Sequence, residues 1–101
     1  MLVVVFRNRL RKGVEQEYDA HAQRVYELAR NMPGFVSSTD FTAEDGERLT
    51  IVEFRSAEEL QAWREQADHA AAQQRGRDHY FTEYSLQVCE QLRESRFSRE
   101  A

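Results

Sequence analysis

Apolar side chains recur along this chain at two spacings, and the switches between them mark out its elements. Leu2-Val3-Val4-Val5-Phe6 is apolar at every position and mostly β-branched, as expected of a strand covered on both faces. Arg7, Asn8 and Arg9 carry it into polar territory. From Val14 the spacing becomes helical: Val14, Tyr18, Ala22, Val25, Leu28, Ala29 and Met32 fall along one side. Pro33-Gly34 ends that helix, because Pro cannot continue it and Gly supplies a left-handed turn. Phe35 to Thr42 reads as a second strand, with Phe35, Ser37, Thr39 and Phe41 on one face. Asp45-Gly46, between two strand-like runs, predicts a hairpin with both central turn residues at positive φ. The third strand follows as Leu49 to Phe54.

Ser56, with Glu59 three residues on, is a capping box that opens a second helix. Its apolar side takes in Leu60, Trp63, Ala67 and Ala71, and Gly76 loosens or ends it. Tyr80 to Leu92 reads as the last strand, with Tyr84, Leu86, Val88 and Leu92 alternating against Ser85, Gln87, Cys89 and Gln91. Residues 1–92 thus form one domain, and residues 93–101 a polar tail. The order is βαββαβ, an α+β, ferredoxin-like sandwich with both helices on one face of an antiparallel sheet. The other face would leave Val3, Val5, either Val52 or Ile51 and parts of the last strand bare, more apolar surface than a monomer normally exposes. A homodimer that pairs two sheets is the expected state.

Composition narrows the partners. The formal net charge is -4 over 101 residues, and the signs are interspersed, so nucleic acid is not an expected partner. The longest apolar run, Leu2 to Phe6, is too short to span a bilayer, and no basic segment or small-residue cleavage site flanks it. Neither a membrane nor a secretory route is expected. Cys89 is the only cysteine, which fits a reducing cytoplasm. No Cys/His spacing suits zinc and no Gly-rich loop suits phosphate, so neither a metal nor another cofactor is expected.

The chemistry concentrates between Trp63 and Tyr84, in WREQADHAAAQQRGRDHYFTEY. Trp63, His69, Gln73, Arg75, Arg77, His79, Tyr80 and Tyr84 are more than a covering helix needs. Each also has a plain structural reading. Trp63 fits the apolar helical face as core packing. Tyr80 and Tyr84 fit strand packing. One of Arg75 and Arg77 pairs with a surface carboxylate, which leaves the other for an anionic substrate group. His21 falls within the first helix's apolar stripe, as a buried histidine with one hydrogen bond or as a base in a cleft. Asn8 either bonds strand-end backbone or faces a ligand. On an unbroken helix His69 faces solvent, opposite Leu60; a break near Ala67-Asp68 would turn His69, Ala72, Gln73 and Gly76 inward.

Phe6-Arg7-Asn8, the Met32-Pro33-Gly34-Phe35 turn and Trp63…His69-x-x-x-Gln73-x-x-Gly76-Arg77 leading to Tyr80 and Tyr84 together resemble the antibiotic biosynthesis monooxygenase (ABM) family. The resemblance covers Leu2 to Leu92. It implies a dimeric α+β barrel with a ligand site between helices and sheet in each protomer. It also implies a cofactor-independent monooxygenase acting on a small, electron-rich aromatic, a quinol or polyketide-like phenol. Asn8, Trp63 and His69 are the catalytic candidates, and His21, Gln73, Arg77 and Tyr84 the substrate-binding ones. Haem-degrading relatives place a His ten residues after the Trp; here that residue is Gln73, so haem breakdown is the less favoured reading. The competing readings are a non-catalytic binding or stress-response module and a dimerisation scaffold.

Overall fold

The computed structural model of the protein describes residues 1–100. The elements are β1 (Leu2–Leu10), α1 (Glu15–Ala29), β2 (Phe35–Thr42), β3 (Arg48–Phe54), α2 (Ala57–Glu65), α3 (Ala67–Arg75) and β4 (Phe81–Glu90). One π-helical turn, Gly76–Tyr80, links α3 to β4, so Tyr80 precedes the last strand, and among the described residues no regular structure follows Glu90. The four strands form one antiparallel sheet in the order β2-β3-β1-β4. This is the ferredoxin-like α+β arrangement that the hydrophobic spacing predicts. Among the described residues no helix is long and apolar enough to cross a membrane.

Register decides which side chains meet the helices. Val4 pairs with Val52 and Val88, and Phe6 with Thr50 and Leu86, so these share the helix-facing side. Val4, Ala29, Phe54, Leu60 and Trp63 form the buried core there, with Val25, Leu28, Met32 and Phe35 packed against it. Val3 and Val5 pair with Glu53 and Ile51, on the open face. Ile51, and not Val52, therefore belongs to the bare surface, together with Leu49 and Phe41, which is 50% exposed.

Three local expectations need correction. The register shifts between Phe35 and Ser37, and this bulge turns Phe35 onto the core while Ser37, Thr39 and Phe41 face the open side. Phe35 meets Phe54 edge-on, with 5.8 Å between ring centroids. In the hairpin only Gly46 has positive φ (92°). Its N–H donates to the Ala43 carbonyl at 3.0 Å while Ala43 N–H donates to the Glu47 carbonyl at 2.8 Å; a three-residue loop needs one left-handed residue, not two. Finally, the second helix breaks just before Ala67, the second of the two readings of this segment, so its apolar side does not run on through Ala67 and Ala71.

Ser56 caps α2 as expected, its Oγ accepting from Glu59 N–H at 3.2 Å. The helix then stops at Gln66, whose backbone opens to φ -60°, ψ 127°. There is no proline at the break. The Gln66 side-chain oxygen accepts from His69 N–H at 2.7 Å, satisfying one of the orphan donors of the new helix start. The break rotates α3, so Ala67 and Ala71 are exposed instead of buried.

Gly34 fixes the α1–β2 turn. It is buried at φ 83°, and a Cβ would stand 2.7 Å from Glu59 Cβ and still nearer that carboxyl. Its carbonyl also accepts from Arg55 N–H at 2.9 Å. Gly34→Ala is expected to lower stability by at least about 2 kcal/mol, from the left-handed backbone penalty plus the forced shift of Glu59. Urea unfolding measures this directly.

Candidate functional site: an aromatic cavity between helices and sheet

The space between the helices and the sheet is not filled. A cavity of about 350 Å³ lies there, walled by α1, α2 and α3 on one side and the strands on the other. That volume falls at the lower end of small-molecule sites. The strands contribute an apolar floor of Val4, Phe6, Val52, Leu86 and Val88, with Thr50 as a polar point. Over β4 the floor extends beyond the helices, leaving Tyr84, Leu86 and Val88 between 43% and 46% exposed. Gly76 also lines the cavity; a Cβ there would meet the Phe81 ring at 2.6 Å, so the π-helical turn can seat closely against β4.

Six of the seven site candidates line this cavity: Trp63, His69, His21, Gln73, Arg77 and Tyr84. Asn8 does not. It is 2% exposed, on the helix-facing side of β1 between Arg48 and Tyr84, and its Oδ1 has no hydrogen-bond partner. It stands beside the cavity wall rather than on its surface. Of the two arginines around Gly76, Arg75 is the paired one, with Glu17 Oε1 at 2.9 Å. It also donates to the hydroxyl of buried Tyr80 at 3.1 Å. Arg77 reaches only the Gln74 side chain, at 2.7 Å. His79 and Tyr80 belong with the Glu17 cluster outside the cavity.

His69 is the most constrained group. Its ring stacks on Trp63 with centroids 3.8 Å apart and planes 8° from parallel. Nδ1 lies 3.0 Å from the Trp63 carbonyl. A carbonyl only accepts, so Nδ1 carries the proton and Nε2 the lone pair. Burial holds the imidazole below its ordinary pKa, an effect opposed by the Trp63 carbonyl and reinforced by Arg64. His21 is lowered for the same main reason, with Arg24 and Arg75 adding to burial. Both histidines are therefore neutral near pH 7, and the unfolded chain takes up protons before the native one as acid is added. Stability is expected to fall as pH drops below about 6.5, the ordinary histidine value. Urea unfolding at about pH 7 and about pH 5 reads this, and His69→Gln should shrink the difference to the part that His21 carries.

Two lining residues escaped the sequence reading. Tyr18 looked like one more core position of α1, yet its ring lines the cavity, and no hydrogen bond to its hydroxyl is found among the described residues. Burial, then the charge of Asp40, pushes its phenol up to about 12, so it stays a donor at any neutral pH. Arg64, at the end of α2, also lines the cavity and was not among the candidates. The signal available was spacing: Arg64 follows Trp63 directly, and Tyr18 sits one turn before His21 and Ala22. Among the described residues, no group of three or more His, Cys, Asp or Glu side chains gathers as a metal site would require.

A family model described as antibiotic biosynthesis monooxygenase matches residues 1–75. The chain belongs to the antibiotic biosynthesis monooxygenase family. A Bacillus subtilis relative, the uncharacterized protein YqjZ, is 29% identical over 80 residues, covering 79% of this chain and 70% of that one. Rv0793 from Mycobacterium tuberculosis superposes with a TM-score of 0.83 at 18% identity, over 94% of this chain and 98% of that one. SnoaB from Streptomyces nogalater, a cofactor-independent oxygenase, gives 0.81 at 15% identity, over 92% and 94%. At such identities these two show the shared ABM fold. The family match stops at Arg75, so the π-helical turn and β4, which complete the cavity, lie outside it.

Proposed function

We propose that this ABM protein is a monooxygenase that oxidises an electron-rich phenol, a quinol or anthrone-type aromatic, with O₂ and no cofactor. One observation carries the reading: a neutral histidine, tautomer fixed through Nδ1, stands in an aromatic cavity with Nε2 unengaged. Nε2 removes the phenolic proton, and Tyr18 donates to the oxygen where charge develops. The resulting anion is the reductant. Its electron-rich ring carbon transfers two electrons to O₂ as the C–O bond forms, and the peroxide takes a proton. Loss of the ring C–H proton then cleaves the O–O bond, giving a carbonyl and one water. All electrons come from the substrate, so an anthrone and O₂ yield a quinone and water. The apolar floor matters because fixed donors act most strongly where water is excluded.

Trp63 orients His69 by stacking and through its carbonyl, and His21 and Gln73 bound the substrate from the two helices. A haem reading gains no support: Gln73 offers an amide, which is not an ordinary axial ligand.

The proposed assembly is a cytoplasmic homodimer, because Val3, Val5, Phe41, Leu49 and Ile51 lie together on the open sheet face. Oxygen uptake across a panel of quinols and anthrones tests the reaction. Tyr18→Phe is expected to slow uptake by roughly tenfold to a hundredfold, toward the scale of one lost oxyanion donor, with little change in stability. Ligand binding with no uptake on any member would favour the binding-module alternative.

A further inference from the structure

The cavity's charge is at odds with the chain's. The sequence holds 18 acidic residues and a net charge of -4, yet no Asp or Glu lines the cavity. Its ionisable lining is His21, His69, Arg64, Arg77 and two tyrosines. Both arginines are exposed. Among the described residues neither has a carboxylate partner; Arg77 is held only by the neutral Gln74 amide, and Arg64 makes no side-chain hydrogen bond or ion pair. Two unneutralised guanidiniums lining an apolar cavity that no carboxylate lines are the electrostatic imprint of an anion.

We propose that the substrate carries a permanent carboxylate in addition to its phenol, and that Arg64 and Arg77 bind this group at the cavity mouth. This rests on the aromatic-substrate reading above and narrows it to hydroxylated aromatic acids. The phenolate cannot be the anion the arginines await. Its charge is transient and must develop beside His69 Nε2 and Tyr18 in the interior, whereas the guanidiniums stand at the exposed rim. A carboxylate at the far end of a planar ring system satisfies both. Its two oxygens match the guanidinium fork, which gives orientation as well as affinity. Held this way, the ring enters phenol first. The same field disfavours a competing cation and draws the acid in from solution, an effect that weakens with salt.

The test is calorimetric titration of the full chain with a hydroxynaphthoate whose hydroxyl and carboxylate lie at opposite ends, against its methyl ester. The acid is expected to bind about tenfold tighter or more at low salt, the scale of a charge-assisted contact, and that preference should shrink as salt is raised. In the Arg64→Gln, Arg77→Gln double variant the preference should vanish while ester affinity is kept, which also shows that the cavity is intact. Equal binding of acid and ester, or a preference that survives in the double variant, overturns the carboxylate inference and leaves the aromatic reading standing. Binding of neither compound overturns both. Failure of the oxygenase chemistry alone shows separately, as binding with the acid preference but without oxygen uptake.

Discussion

His69→Ala is expected to lower turnover of an oxidisable phenol by roughly a hundredfold to ten-thousandfold, the range of a positioned general base. The variant removes the proton acceptor and the ring that stacks on Trp63 at 3.8 Å, so a second variant separates the two roles. His69→Gln keeps polar bulk without a comparable base and should be almost as slow. Raising pH should restore part of the rate in both, because the free phenolate then enters the cavity already deprotonated. In the native protein the rate should fall toward acid pH, with its midpoint below the ordinary histidine value of 6.5, because burial lowers the His69 pKa. A rate that rises toward acid pH would mean that an acid, and not this base, governs the reaction. Steady-state oxygen uptake across the pH range reads all of these outcomes.

Val5→Asp is expected to abolish the proposed dimer. Val5 pairs with Ile51 and Gln87 on the open sheet face, and a carboxylate there would be buried without a partner when two sheets meet. That costs several kcal/mol, comparable to much of a small domain's stability. The variant should sediment as a monomer or unfold, whereas Val52→Asp, on the cavity side, should damage ligand binding and the core instead. Native protein that sediments as a monomer at tens of micromolar would overturn the proposed face-to-face assembly.

The βαββαβ order was legible because each element announces its period: β-branched β1, the helical stripe of α1, the Ser56 cap. What escaped was backbone geometry set by tertiary packing. Nothing local marks the bulge at Phe35–Ser37, which sends Phe35 to the core and Phe41 to the open face. The break before Ala67 was one of two open alternatives, and spacing could not choose between them because neither Pro nor Gly stands there; a side-chain cap on His69 N–H stabilises it. That break decides the site, since an unbroken helix would have left His69 in solvent. Tyr18 was missed because a cavity-lining face and a core-covering face have the same helical spacing. Asn8 has the right strand parity, but its depth in the sheet depends on neighbours that no spacing reveals. The arginine alternatives resolved on a single contact: Glu17, on α1, reaches Arg75 and leaves Arg77 at the cavity.

Under the proposed mechanism this cavity passes oxygen from O₂ to a phenol by base catalysis at His69, with the substrate as the only reductant. Isotope labelling tests it most directly: purified, chelator-treated protein with an anthrone-type phenol under ¹⁸O₂. One labelled atom is expected in the quinone carbonyl and one in water, with incorporation above the uncatalysed background lost in His69→Ala. Product oxygen drawn from solvent water, or labelling unchanged between native protein and His69→Ala, would contradict the account.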